Sequence, residues 1–593
     1  MSENLKNSIY RATSQTLLPV KKDYPVYYSY DIYPAFKIGD DQIFSGFESL
    51  AGRILENKTV TIDGYSGIFF EQFVSEITGI LKNKNCSSKV IYTSSFLRSR
   101  KEIAEITAPF LGGDDPLFGR KCTLELQDFF VAGSLNSASP DPDSEINIIA
   151  GPGASLAGWP GLKIYTDLPK NEIQYRARAG KISNLGMSPA ADPRQMYKTF
   201  YFVDWVVLNS HKEKILPAVD IFVDGQRPEM PVWINGEKLR ETLSLMTRSP
   251  FRARPWFEPG AWGGKWIMDN IPGLDKNVPN YAWSFELITP ENGLIIESSS
   301  LMLEVSFDCL MYLEGEAVLG DCYPVYGTNF PIRFDFLDTF DGGNLSLQCH
   351  PRPDYIKSNF GEPFTQEEAY YILDCKEGSA VYLGFTENIN PARFRLELEK
   401  SRTEGTTFNA EKYILRHPSG KHDLFLVPYG TIHGSGRNNL VLEISSTPYI
   451  YTFKMYDWLR PDLDGKPRTL NIERGMENLF FERKGKYVTD NLISRPVLIG
   501  SGHGWKLYDL PTHESHSYRI RRYHFNDKIV IDTEDKCLVM SLTEGKSILV
   551  TSANGRKELY SFAETFIIPA AAGSISIFNN SDGEAILTLA FIK

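Results

Sequence analysis

At 593 residues the chain is too long for one core, so two or three domains are expected. Its 42% hydrophobic and 13% aromatic content is that of a folded protein. A formal net charge of -11 argues against a nucleic-acid partner, because neutralising phosphates needs a basic face. The opening MSENLKNSIYRATSQ is polar and lacks the apolar core of a signal peptide. No apolar run is long enough to span a bilayer, so no membrane association is expected. The seven Cys are scattered and form no C-x-x-C pair, which reads as reduced thiols in a cytoplasmic protein.

Residues 1–50 include the Tyr-rich DYPVYYSYDIYPAFKI, expected as an extension lying against a domain. Then KTVTIDGYSGIFFEQFVSEITGIL runs from a short apolar strand into Asp63-Gly64-Tyr65-Ser66-Gly67 and on into a helical pattern. This is the layout of a phosphate-binding loop between strand and helix. It resembles the opening of uridine-kinase-like P-loop folds, but Phe69, Phe70 and Glu71 stand where that loop needs Gly-Lys-Ser. A ring replaces the phosphate-reaching Lys and a carboxylate replaces the magnesium-holding hydroxyl. The expectation is a degenerate site without nucleotide hydrolysis, and Phe70 argues against a kinase. KVIYTSSFL, INIIAGPGASLA and GLKIYTDLP read as buried strands separated by turns or helices. YKTFYFVDWVVLNSHKEKILPAVDIFVDG is expected to close the domain with a helix or a strand pair, with His211 solvated in its charged run. The whole segment, 51–230, is predicted as a doubly wound α/β domain.

Beyond it, LIIESS, LMLEVSF and CLMYLEG read as successive short strands of an all-β region. The informative stretch is 344–374. In LSLQCHP strand alternation points Gln348 and His350 the same way and Cys349 the other. Glu368 opens the apolar run AYYIL, with Glu367 turned to the opposite face, and His433 follows the turn made by Pro428 and Gly430. Two imidazoles, a carboxylate and an amide oxygen make an N2O2 donor set suited to zinc or another borderline divalent ion. His417 and His422, either side of PSGK, read as turn residues.

LSLQCHP, GEPFTQEEAYYILD, FLVPYGTIHGSGRNNLVLEI and YDWLRPDLDGKPRTLNIE, in this order, resemble successive motifs of type I phosphomannose isomerases, which are metal-dependent cupin enzymes. Trp262-Gly263-Gly264-Lys265 resembles the W-G-G start of their catalytic domain, and the aromatic cluster around it is expected to be core packing. The resemblance implies Gln348, His350, Glu368 and His433 as metal ligands. It also implies a catalytic cupin domain at 231–480 and a second, metal-free cupin (jelly-roll) at 481–593. The activity implied is conversion of mannose 6-phosphate to fructose 6-phosphate, with a sugar phosphate as partner.

The cations depart from the family pattern. Asp335 and Gln366 replace two family Lys, and Lys454 replaces an Arg. Lys454 and Arg333 are therefore the catalytic candidates, and Arg437 and Lys454 the substrate-binding ones. Arg333 would face the same side as Asp335, and Arg460 is a further candidate cation. Two readings stay open: an aldose-ketose isomerase, or a non-catalytic metal-containing cupin that binds a sugar or sugar phosphate for regulation. Oligomeric state is not legible.

Overall fold

The computed structural model describes residues 9–22, 29–187 and 192–593. Part of the Tyr-rich extension, residues 23–28, therefore lies outside the described residues, as do residues 1–8 of the polar N-terminus. The chain forms two compact units. The first comprises Met1–Pro25, Ala35–Met246 and Pro290–Gly315; the second comprises Val26–Pro34, Thr247–Thr289 and Glu316–Lys593.

The first unit is α/β. Its seven-stranded sheet runs Ile43–Ser45, Val232–Asn235, Ile221–Asp224, Leu162–Asp167, Thr59–Gly64, Ile146–Ala150 and Ser88–Tyr92 in spatial order. The last five are mutually parallel. The apolar run of Ile146–Ala150 is buried throughout, as a strand covered on both faces must be. After Thr59–Gly64 the chain turns and enters the helix Phe70–Asn83. That helix buries Phe70, Phe73, Val74, Ile77 and Leu81, one stripe at helical spacing, against the sheet core. The boundary expected near residue 230 lies at Met246, and this unit also takes Pro290–Gly315. There Gly293–Ser298 pairs with Leu301–Ser306 and, in parallel, with Ala35–Lys37 of the extension.

Two expectations for this unit are corrected. CLMYLEG is not a strand but part of the helix Phe307–Leu319. Its Cys309, Leu310 and Met311 are all buried, and a run buried on consecutive positions cannot be assigned to strand or helix by periodicity. His211 is not solvated: it is 5% exposed, and its Nε2 lies 2.8 Å from Asp63 Oδ2. The charged run around it holds a buried pair because acidic partners meet it there. Lys212 lies 3.3 Å from Asp167 and 2.5 Å from Asp308, and Lys170 lies 2.9 Å from Asp308.

The second unit is mostly β. A seven-stranded antiparallel sheet runs Ile493–Ser494, Leu424–Val427, Glu368–Cys375, Asn439–Ser446, Ile332–Asp338, Trp283–Leu287 and Trp256–Glu258. A five-stranded antiparallel sheet runs Ile414–Pro418, Ala380–Phe385, His433–Ser435, Leu347–Cys349 and Phe453–Tyr456. Trp262 is buried in T-shaped contact with Trp283, so the aromatic cluster is core packing. Residues 497–592 build two further sheets, of six and four strands, around an apolar core that includes Met540, Val550, Phe566 and Leu587. Among the described residues no helix is long and apolar enough to cross a membrane.

A candidate metal centre between two sheets

The seven-stranded and five-stranded sheets of the second unit each contribute side chains to one point. On the five-stranded sheet, Gln348 is the direct cross-strand partner of both His433 and Lys454, which places the three on one face. His350 follows Gln348 by two residues, beyond the strand end. On the seven-stranded sheet Glu368 is the first residue of its strand, opposite Val427 on one side and Ser445 on the other. His350, Glu368 and His433 are all buried, and one ligating atom from each lies within 4.8 Å of the others. His350 Nε2 is 2.8 Å from Glu368 Oε1, and His433 Nε2 is 3.2 Å from Glu368 Oε2.

The surroundings fix which atoms face inward. His350 Nδ1 lies 3.0 Å from the Tyr451 carbonyl and His433 Nδ1 2.9 Å from the Thr431 carbonyl. Each Nδ1-H thus donates to the backbone, and each Nε2 is turned toward the carboxylate, so Nε2 is the atom each histidine would offer a metal. His350 Nε2 and Glu368 Oε2 are buried without a hydrogen-bond partner, so the close approach of the two groups does not satisfy them. Burial opposes ionisation of Glu368, but the His350 and His433 imidazoles outweigh it and hold the carboxyl well below the usual carboxylate range. Gln366 Nε2 donates to Glu368 Oε1 at 2.5 Å. These donors fit a divalent ion in number, type and tautomer. Gln348 stands at the same place, but its amide nitrogen, 3.4 Å from His433 Nε2, is what faces the cluster, while its oxygen accepts from Ser346 Oγ at 2.9 Å.

The remaining candidates divide. Glu367 turns away, accepting from the Ser517 backbone N-H at 3.1 Å, as strand alternation requires. Lys454, half-buried, stands in the row beside Gln348. Arg333 is buried with Nη2 3.1 Å from Glu443 and 3.8 Å from Asp335, so its charge is already matched by two carboxylates on its own face. Burial pushes the Asp335 carboxyl up to about 7, and burial together with Asp335 and Glu368 pushes Glu443 up as well. Arg437 is exposed and lines a cavity of about 420 Å³ with Tyr382 and Arg416. Tyr382 pairs with Gly434, whose face of the sheet is opposite to that of His433, so Arg437 is not brought to the metal ligands. Arg460 is engaged by Asp457 at 2.5 Å. His417 lies within the strand Ile414–Pro418 and is buried, not a turn residue; His422 does sit in a turn, at φ 72°, beside Tyr371 Oη at 2.8 Å.

Residues that sequence reading did not single out share the wall with Glu368. Tyr370 pairs with Glu443, Glu443 with Asp335, and Ser445 with both Glu368 and Arg333. The Tyr370 ring packs edge-on against His433, centroids 5.8 Å apart. The two-residue stride from 366 to 370 and from 443 to 445 was the available signal.

A stretch of about half the chain is homologous to proteins named mannose-6-phosphate isomerases. ManA of Bacillus subtilis, named a mannose-6-phosphate isomerase, is 25% identical over 236 residues, 39% of this chain and 68% of that protein. YvyI of the same organism, which carries the same activity in its name in qualified form, is 24% identical over 306 residues, 51% of this chain and 88% of that protein. The crystal structure of the mannose 6-phosphate isomerase from Bacillus subtilis superposes with a TM-score of 0.46 at 22% identity, over 58% of this chain and all of that one. Residues 46–248 match a family described as a domain of unknown function (DUF8485).

Proposed function

We propose that the second unit is a metal-dependent aldose-ketose isomerase acting on a sugar phosphate, with mannose 6-phosphate and fructose 6-phosphate as the pair. The observation that carries this is the buried His350, Glu368 and His433 cluster with both Nδ1 atoms committed to backbone carbonyls. Gln348 is the fourth ligand in this reading. A bound zinc or similar ion would orient the sugar and stabilise the oxyanion that develops as a proton moves between C1 and C2. Lys454 supplies the cation beside the cluster and serves the substrate's negative charge. Arg333 has a secondary role, because Glu443 and Asp335 hold its guanidinium. The names of the relatives support the sugar-phosphate class. The cupin description of both β regions, and the division at 480, belong to the same reading.

The first unit is proposed as a scaffold without nucleotide turnover. The Phe69 ring lies 4.7 Å under the Arg176 guanidinium, and Arg176 donates to the Gly67 carbonyl at 2.8 Å, so this guanidinium is engaged by the loop itself.

A second reading, a non-catalytic sugar-binding protein, is favoured by Asp335 and Gln366 at positions where the resembled family carries Lys. The test is direct. Zinc-loaded protein should convert mannose 6-phosphate to fructose 6-phosphate, and His350→Ala should abolish the conversion. Full metal occupancy with no ketose formed from any of several aldose phosphates would favour the binding protein.

A further inference from the structure

The five-stranded sheet has a second face, turned away from the metal ligands. Arg416 pairs with Tyr382 and Tyr382 with Gly434, whereas Leu383 pairs with His433 in the next row. Successive strand residues point to opposite faces, so Arg416 and Tyr382 stand on the face that His433 turns from. The cavity of about 420 Å³ opens there, and its lining includes both of them with Asn344, Glu411, Arg437 and Asn438. That volume falls in the range of small-molecule sites, about 300–1,000 Å³.

The lining is rich in donors. Arg437 is exposed, and among the described residues its guanidinium has no carboxylate partner. Asn344 Oδ1 accepts from the Arg437 backbone N-H at 2.8 Å, and Asn438 Oδ1 from the Asp341 backbone N-H at 3.1 Å. With both amide oxygens so engaged, each asparagine is left to offer its NH2 group. Arg416 Nη2 donates to the Gly378 carbonyl at 2.7 Å, which holds that guanidinium at the rim. Of the lining residues only Glu411 is acidic, 3.8 Å from Arg416 Nε, so two guanidiniums face one carboxylate. A cation would be repelled, and an apolar ligand would leave the donors unanswered. A carboxylate is satisfied by one guanidinium fork, but here the donors come from three segments. The three peripheral oxygens of a phosphate monoester accept from several directions at once. We infer that this cavity is an anion site for a phosphate monoester, separate from the metal centre. Asn344 precedes Gln348 by four residues and Arg437 follows His433 by four, so a ligand here grips the two segments that lead into that centre. The inference does not depend on the reaction proposed there.

The test uses the whole zinc-loaded chain and two probes, inorganic phosphate and acetate, with binding followed by calorimetry. Phosphate should bind wild type, and acetate should bind at least about tenfold more weakly. Arg416→Ala and Arg437→Ala should each weaken phosphate binding about tenfold or more. Both side chains are exposed, so neither substitution opens the core. Arg437→Lys keeps the charge but loses the planar fork, and should weaken binding less than Arg437→Ala. Lys454→Ala, on the opposite face beside the metal cluster, should leave a phosphate site of wild-type affinity, which separates this cavity from phosphate held at the metal centre. Absence of phosphate binding in wild type, acetate binding as tight as phosphate, or binding indifferent to both Arg→Ala substitutions would overturn the inference. None of these would by itself overturn the isomerase, whose assay reads ketose formation independently.

Discussion

Asp204 shows how a single buried group sets a pH dependence. It is 1% exposed, and burial raises its carboxyl to about 7, although the Asn184 amide and the Leu185 backbone N-H donate to it and pull the other way. No cation offsets the burial. The folded pKa lies above the unfolded one near 4, so the folded first unit binds this proton more tightly. The stability it contributes is whole below about pH 4 and is lost as pH rises through 7, up to about 4 kcal/mol if water relaxes none of it. Asp204→Asn keeps the shape and removes the titration. Unfolding followed at pH 5 and pH 8 should show wild type losing markedly more stability than the variant across that interval. Parallel losses would show that Asp204 ionises freely in the fold. His211 teaches the same lesson about reading residues singly. A charged run in sequence says nothing of the carboxylates that the fold brings to it, and Asp63 lies 148 positions away.

Among elements, the helix Phe307–Leu319 is held to the first unit by charge. Asp308 sits between Lys170 and Lys212, at 2.9 and 2.5 Å, all three largely buried. Removing one partner of a buried ionic set leaves the others uncompensated, which costs about 3–5 kcal/mol. Asp308→Ala should therefore lower the denaturant stability of the unit by that amount, and Lys170→Met added to it should recover part of the loss. A loss below about 1 kcal/mol would mean that packing of Leu310 and Met311, not the charges, fixes the helix. Within this helix CLMYLEG reads as a strand because its apolar residues are consecutive, and sequence periodicity has no period to measure there. Strands with alternation or strong β-formers, such as Ile146–Ala150 and Leu347–Cys349, are legible in the sequence.

Taken whole, the chain crosses between its two units more than once, since Pro290–Gly315 belongs to the first unit although residues on both sides of it belong to the second. No composition shift marks this excursion, which is why a linear division at 230 misses it. The candidate centre was more legible. His350, Glu368 and His433 come together across the chain, with the Gln348 amide beside them, over sequence gaps of up to 85 residues. The wall around them was not legible, because Tyr370 and Ser445 are ordinary strand residues until the register sets them beside Glu368. Metal analysis of the purified protein tests the account where it is most exposed. About one divalent ion per chain is expected in wild type, retained through desalting, and lost in His350→Ala and in Glu368→Ala while both variants remain folded. Wild type without bound metal after incubation with zinc, or full occupancy in both variants, would contradict it.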